Sequence, residues 1–157
     1  MTAVLALHLI GVALWLGAGS VALVFAVDAR ADTGMRLPRL LLVGRIYSLV
    51  LAPGAVLATG SGIALTMMAY SAGMSTRLGE PALATMQGLG LLAGVIEVFV
   101  GFPTAQRLAG AAAISVTEGK PWRGDRLRVR LTILLTMTLA LVVVSTYLGV
   151  LGASGNG

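Results

Sequence analysis

Four long stretches with almost no charged residues constrain the fold of this chain more than any other feature. They lie at about 3–27, 45–70, 83–106 and 131–151. A bilayer core about 30 Å thick needs roughly 20 apolar helical residues to cross it, so each stretch is long enough for one transmembrane helix. The sequence therefore predicts an all-α fold: a single integral membrane domain over 1–157, built as a four-helix bundle.

The composition supports this prediction and excludes several classes of function. Hydrophobic residues make up 57% of the 157 residues and charged residues 11%, whereas an average soluble domain is about 25% charged. The chain has no cysteine, which excludes disulfides, thiolate metal sites and cysteine nucleophiles. The net charge of +5 is explained by the loops of a membrane protein, and we do not expect nucleic acid as a partner.

The distribution of basic residues predicts the orientation in the membrane. Ten of the eleven Lys and Arg residues lie in or beside the first and third connections: Arg30, Arg36, Arg39, Arg45, Arg107, Lys120, Arg123, Arg126, Arg128 and Arg130. Loops enriched in Lys and Arg stay on the cytoplasmic side. We therefore predict a multi-pass protein of the cytoplasmic (inner) membrane, with both termini outside.

Small residues and one proline inside the spans predict how the helices pack. Transmembrane helices associate mainly through close contact at Gly, Ala, Ser and Thr, and Gly90 and Gly94 form a GxxxG pair. Pro53 lies within the second span. Because proline has no backbone N–H, it is expected to interrupt the helix there and to free a carbonyl.

His8 is the only histidine, and it lies within the first apolar stretch. At 1.5 Å per residue it would lie about 7–8 Å inside the outer boundary of the span. One interpretation is an interfacial histidine bonded to water or to a neighbouring helix; the other is a metal or haem ligand. Trp15 shares its helix face about 10 Å deeper, where it would pack in the core or form a cofactor wall.

Glu97 is the one acidic residue deep inside a predicted span. A carboxylate in a membrane is costly, which makes it a candidate functional group. The alternative is that it sets helix register, either protonated or paired with Arg45. Tyr47 and Ser48 would complete a polar patch with it.

The outer ends of the second and third spans carry Gln87 and several methionines. Met67, Met68 and Met86 lie there, and Met74 lies in the adjoining loop. Thioethers suit Cu(I), and methionine pairs with histidine on haem iron. His8 with Met86 is therefore a candidate metal site, although methionine in an apolar helix also serves as packing.

Two stretches resemble a known family. "HLIGVALWLGAGSVALVF" (8–25) and "GRIYSLVLAPGAVLATGSG" (44–62) resemble the first and second helices of the HemJ-type protoporphyrinogen oxidases. The similarity extends to short uncharacterised integral membrane families and, more distantly, to CopD-like copper-resistance domains. It covers about the first 70 residues. The family has a lysine early in the third helix. At that place this chain reads "LATMQGLG" and has Met86 and Gln87 instead of a lysine.

The resemblance implies a haem b held by the bundle, with His8 as an axial ligand. It assigns Trp15, Arg45, Tyr47 and Gln87 to the cofactor site. The implied activity is an oxidoreductase that converts protoporphyrinogen IX to protoporphyrin IX and passes electrons to a quinone or another respiratory-chain acceptor. With one histidine, the second axial ligand would be Met, water, or His8 of a second copy in a homodimer.

Three hypotheses from different classes therefore stand at this point. The first is a haem-associated redox membrane protein, with or without porphyrinogen oxidase activity. The second is a copper-handling membrane protein that uses His8 and the outer methionines. The third is a non-catalytic membrane subunit whose glycine faces bind partner helices.

Overall fold

The computed structural model describes residues 2–31, 34–73 and 81–154, the last four by their backbone alone. This part of the chain is helical and has no strand, which confirms the predicted fold class. The helices are α1 (Thr2–Asp28), α2 (Arg36–Ile46), α3 (Ala52–Ser71), α4 (Pro81–Ile96), α5 (Phe102–Glu118) and α6 (Asp125–Ser154). Met74 and Arg77 of the second connection lie outside the described residues.

Two π-helical segments join these helices into four continuous ones. Tyr47–Leu51 connects α2 to α3, and Glu97–Gly101 connects α4 to α5. The four resulting helices are all long and apolar enough to cross a membrane. We number them transmembrane helices 1 to 4, with α1 as helix 1 and α6 as helix 4.

Helices 2 and 3 extend well beyond the predicted spans. The additional turns, 36–44 and 107–118, carry basic residues, so hydropathy alone does not include them in a span. They pack against each other because Gly44 on α2 lies directly against the Cβ of Ala109 on α5. Tertiary contact therefore stabilises helix at 36–44, where the local composition predicted a connection.

The four helices form a ring in sequence order. Helix 1 packs beside helices 2 and 4, and helix 3 also packs beside helices 2 and 4, so helices 1 and 3 lie on a diagonal. We call the end that carries connections 28–36 and 118–125 the basic end, and the end with the chain termini the opposite end. The assignment of the basic end to the cytoplasm stays a prediction.

Backbone contact between helices 1 and 2 holds one side of the ring. A Cβ placed on Gly11 would lie 2.5 Å from the backbone N of Ala58, and one on Gly54 would lie 3.0 Å from the backbone N of Trp15. Gly11 of α1 and Gly54 of α3 thus let the two helices touch at their backbones. Such contact maximises van der Waals attraction, which replaces the hydrophobic effect as the driving force inside a bilayer.

Polar contacts tie the helices at the basic end. Arg39 forms an ion pair with Asp28 (Nη1 to Oδ2, 2.9 Å) between α2 and the end of α1. Arg128 donates from Nη1 to the Ala26 carbonyl at 3.5 Å and pairs with Asp125 at 3.3 Å. Helices 1, 2 and 4 are thereby joined at the basic end. Further into the bundle, aliphatic side chains close the core.

Candidate functional site

A polar cluster lies at the centre of the bundle, with one side chain from each transmembrane helix. Trp15 comes from helix 1, Tyr47 from helix 2, Glu97 from helix 3 and Thr138 from helix 4. The exposed fractions of these side chains are 3%, 0%, 1% and 0%. The carboxyl group of Glu97 faces the Tyr47 hydroxyl, the Thr138 hydroxyl and the Trp15 indole. The chain thus encloses a carboxyl group within its apolar core.

The two π-helical segments position the acidic and phenolic members of the cluster. Tyr47 and Glu97 each begin a π segment, and each lies six residues before a proline, Pro53 or Pro103. At both sites the N–H just before the proline bonds to the carbonyl five residues back, from Ala52 to Tyr47 and from Phe102 to Glu97. Such π turns occur frequently at functional sites. The interruption predicted at Pro53 therefore takes the form of a π turn, and helix 3 repeats it.

Gly101 provides the space in which Glu97 and Tyr47 meet. A Cβ on this glycine would lie 2.9 Å from Oε1 of Glu97 and 3.0 Å from the Tyr47 hydroxyl. Any other residue at position 101 would push these two polar groups apart. The polar cluster, and not the conformation of the helix, therefore requires a glycine at position 101.

Most polar atoms of the cluster have no hydrogen bond to a described residue. These atoms are both carboxyl oxygens of Glu97, the hydroxyl of Tyr47 and Nε1 of Trp15. They face one another without reaching hydrogen-bond geometry. Thr138 differs, because its hydroxyl donates to the Leu134 carbonyl at 3.0 Å. Buried polar groups without partners cost about 1–3 kcal/mol each, so they call for a functional explanation.

The two ends of the bundle shield this cluster differently. Towards the basic end the core is filled by fully buried aliphatic side chains, listed in chain order as Leu40, Val43, Leu108, Leu131 and Leu135. Towards the opposite end it contains alanines and glycines together with Leu51 and Val142. It also contains the buried hydroxyl of Thr59, which has no hydrogen-bond partner among described residues. Thr59 lies against Gly94, one helical turn from Glu97. Fewer large aliphatic side chains therefore cover the cluster on the side of the opposite end.

His8 is turned towards helix 2 rather than towards the polar cluster. Its Nδ1 lies 2.9 Å from the Ala58 carbonyl and 3.4 Å from the Ser61 hydroxyl. Gly62 leaves space for the ring, since a Cβ there would lie 3.2 Å from Cε1. Because a carbonyl only accepts, Nδ1 carries the proton and the lone pair of the neutral ring is on Nε2.

The remaining predicted site residues do not gather around His8 or Glu97. Arg45 is exposed, and its predicted pairing with Glu97 is wrong: two residues before Tyr47, it projects from the other side of the helix. Ser48 likewise lies outside the core, and its hydroxyl accepts a hydrogen bond from Gln106 at 2.7 Å. Gln87 is half-buried on α4.

The methionines also lie apart from His8. Met86 lies against Gly149 of α6, and α4 and α1 are on the diagonal of the ring. Met67 and Met68 are 67% and 37% exposed. In the described part of the chain no three His, Asp or Glu residues converge as a metal site. Met86 and His8 thus lie on diagonally opposed helices, and the copper site stays a prediction.

The residues fit a haem b only in part. The bond from Nδ1 of His8 to a backbone carbonyl is the arrangement that orients metal-binding histidines. However, α1 and α3 touch through their backbones at Gly11 and Ala58, which leaves no space for a porphyrin between them one turn below His8. Trp15 and Tyr47 belong to the Glu97 cluster instead. His8 could supply one bond to haem iron, and Trp15 and Tyr47 would not contribute to the same site.

Thr138 and Gly101 are the members of the site that the sequence interpretation missed. Thr138 is one of four threonines in α6 and carries no signal of its own, and Gly101 resembled any other span glycine. Comparison of the chain with family models, with curated proteins and with solved structures finds no match.

Proposed function

We propose that this protein binds and releases protons at Glu97 within the membrane. The observation that carries the proposal is the fully buried carboxyl group, faced by one polar side chain from each of the other three helices and hydrogen-bonded to none of the described residues. A carboxyl group in a bilayer is expensive. If this side chain served packing alone, glutamine or leucine would fill the same space at a lower burial cost.

The chemistry of the surrounding groups suits both protonation states. Trp15 only donates, so its indole N–H favours the ionised carboxylate. The Thr138 hydroxyl already donates a hydrogen bond to the Leu134 carbonyl. Its oxygen can therefore accept a hydrogen bond from the protonated carboxyl group of Glu97. Tyr47 can do either. A site that accommodates a carboxyl group before and after proton loss is what a membrane proton carrier requires.

The packing around the cluster supports exchange with one side of the membrane. Leucines close the basic end, whereas the opposite side combines Leu51 and Val142 with small residues and with the Thr59 hydroxyl beside Gly94. With the basic end in the cytoplasm, as the positive-inside rule predicts, Glu97 takes its proton from the outer side. A rearrangement of the leucine layer would be needed for delivery inwards.

Reaction with a hydrophobic carbodiimide tests the proposal. This reagent adds to protonated carboxyl groups in apolar surroundings, so intact mass spectrometry should show one adduct on the wild-type protein. Glu97→Gln should reduce labelling more than tenfold, and raising the pH should slow the reaction. Glu118→Gln is the control, because Glu118 is exposed and pairs with Lys120. An adduct that persists in Glu97→Gln, or that disappears in Glu118→Gln, would contradict the proposal.

A second candidate function rests on the orientation of His8. The Nδ1 bond to Ala58 leaves Nε2 as a metal-binding lone pair, which supports the haem-associated redox function implied by the family resemblance. We propose for this case that His8, from each of two copies of the chain, would hold haem b. Haem would supply one-electron transfer, with a porphyrin substrate and a quinone or respiratory-chain acceptor as the partners. The protein contributes His8 and its orienting carbonyl.

A visible spectrum of the protein purified from haem-replete cells tests this second function. We expect a Soret band at about one haem per two chains, and His8→Ala should reduce it at least tenfold. Tyr70→Phe serves as the control, because Tyr70 is 69% exposed near the same end of α3. A colourless wild-type preparation, or a band unchanged in His8→Ala, excludes haem ligation by His8. Neither result bears on Glu97.

A further inference from the structure

A shallow, open depression, which we call the groove, lies along the surface of α6 at the basic end of the bundle. Its volume is about 510 Å³, and it is lined by Asp125, Arg126, Val129, Arg130, Ile133 and Leu134. The lining residues recur every three or four positions, so they form one stripe of the helix. All of them except the half-buried Leu134 are exposed. The groove is separate from the Glu97 cluster, which lies in the interior.

The charged residues of the groove leave two cations uncompensated by described carboxylates. Asp125 is paired with Arg128, whose Nε lies 3.3 Å from Oδ1. Neither Arg126 nor Arg130 forms an ion pair with a carboxylate in the described ranges. The two guanidinium groups are four residues apart, one helical turn, on the same face of α6. They can therefore approach one phosphate group together.

Two of the three apolar residues of the groove, Ile133 and Leu134, lie beyond both arginines, and Val129 lies between them. Ile133 and Leu134 are three and four residues beyond Arg130, which places them about 4.5–6 Å further along the helix at 1.5 Å per residue. Ile133 is 54% exposed and Val129 46%. The groove thus changes from cationic to aliphatic in the direction of the membrane interior, as a phospholipid changes from headgroup to acyl chain.

We propose that this groove is a binding site for an anionic phospholipid. The phosphate accepts hydrogen bonds from Arg126 and Arg130, for which the planar guanidinium is well suited, and an acyl chain covers Val129 and Ile133. A lipid with net negative charge is favoured over a zwitterionic one. The positive headgroup of phosphatidylcholine would lie beside two arginines whose charge no described carboxylate balances.

Native mass spectrometry of the full chain in detergent tests this site with two defined lipids. We expect dioleoyl-phosphatidylglycerol to bind at least tenfold more tightly than dioleoyl-phosphatidylcholine. The double variant Arg126→Gln/Arg130→Gln should remove this preference. The matched control is Arg107→Gln/Arg123→Gln, which removes two exposed positive charges from the same end of the bundle and should retain it.

A third variant distinguishes a groove from a diffuse basic surface. Val129→Trp keeps every charge but fills the groove, and it should weaken phosphatidylglycerol binding at least fivefold. Retention of tight binding in Val129→Trp, or equal losses in both arginine double variants, would overturn the proposal in favour of unspecific surface charge. Equal affinity of the wild-type protein for the two lipids would overturn it as well.

Discussion

Replacement of Gly11 by valine is expected to destabilise the bundle more than any other single substitution on α1. Even a Cβ at this position would lie 2.5 Å from the backbone N and 2.9 Å from the Cα of Ala58. Backbone atoms cannot change rotamer, so α1 and α3 must separate. Overpacking of this kind costs about 1–3 kcal/mol when side chains can adjust, and we expect at least the upper value here.

Gly17→Val provides the matched control on the same helix. No atom outside its local helix lies within 4 Å of a Cβ at Gly17, so valine should be accepted with little change. Thermal unfolding in a mild detergent, followed by circular dichroism, measures both variants. A large fall in midpoint for Gly11→Val and a small change for Gly17→Val are expected. Similar midpoints would show that α1 and α3 do not touch at Gly11.

Replacement of Glu97 by lysine is the second substitution expected to have a very large effect. The site is 1% exposed, and Glu97 is itself the only buried carboxylate among the described residues, so a lysine there would have no buried carboxylate to pair with. A buried ion costs on the order of several kcal/mol after relaxation of the protein. Because membrane domains are themselves only marginally stable, we expect this variant to aggregate or to be degraded rather than to accumulate in the membrane.

Glu97→Gln separates the effect of charge from that of shape. Glutamine has nearly the same volume and remains neutral, so this variant should accumulate to wild-type level and elute as a single peak in size-exclusion chromatography. The yield of monodisperse protein is the measurement for both variants. If Glu97→Lys were as well behaved as Glu97→Gln, position 97 would be open to water, and the enclosed site described above would be wrong.

The four transmembrane helices could be predicted from sequence because their signal is local. A run of apolar residues about 20 long has to cross the bilayer whatever its neighbours do, since its backbone satisfies its own hydrogen bonds. The cost of burying a lone carboxyl group can also be read from the local sequence, which is why Glu97 was identified as a candidate functional residue. The helical extension 36–44 was missed because it depends on its contact with the end of helix 3, where Gly44 meets Ala109.

Which side chains meet was decided by tertiary structure alone. The sequence left Glu97 either protonated or paired with Arg45, which enters the membrane from the same side. In the bundle, the π turn at Tyr47 directs the phenol inwards, and Arg45 faces outwards. Thr138 and Trp15 reach Glu97 from helices that are distant in sequence. The composition of each segment determines that it inserts in the membrane, but the rotation of each helix depends on contacts of a few ångströms with its neighbours, and these exist only once all four helices have packed.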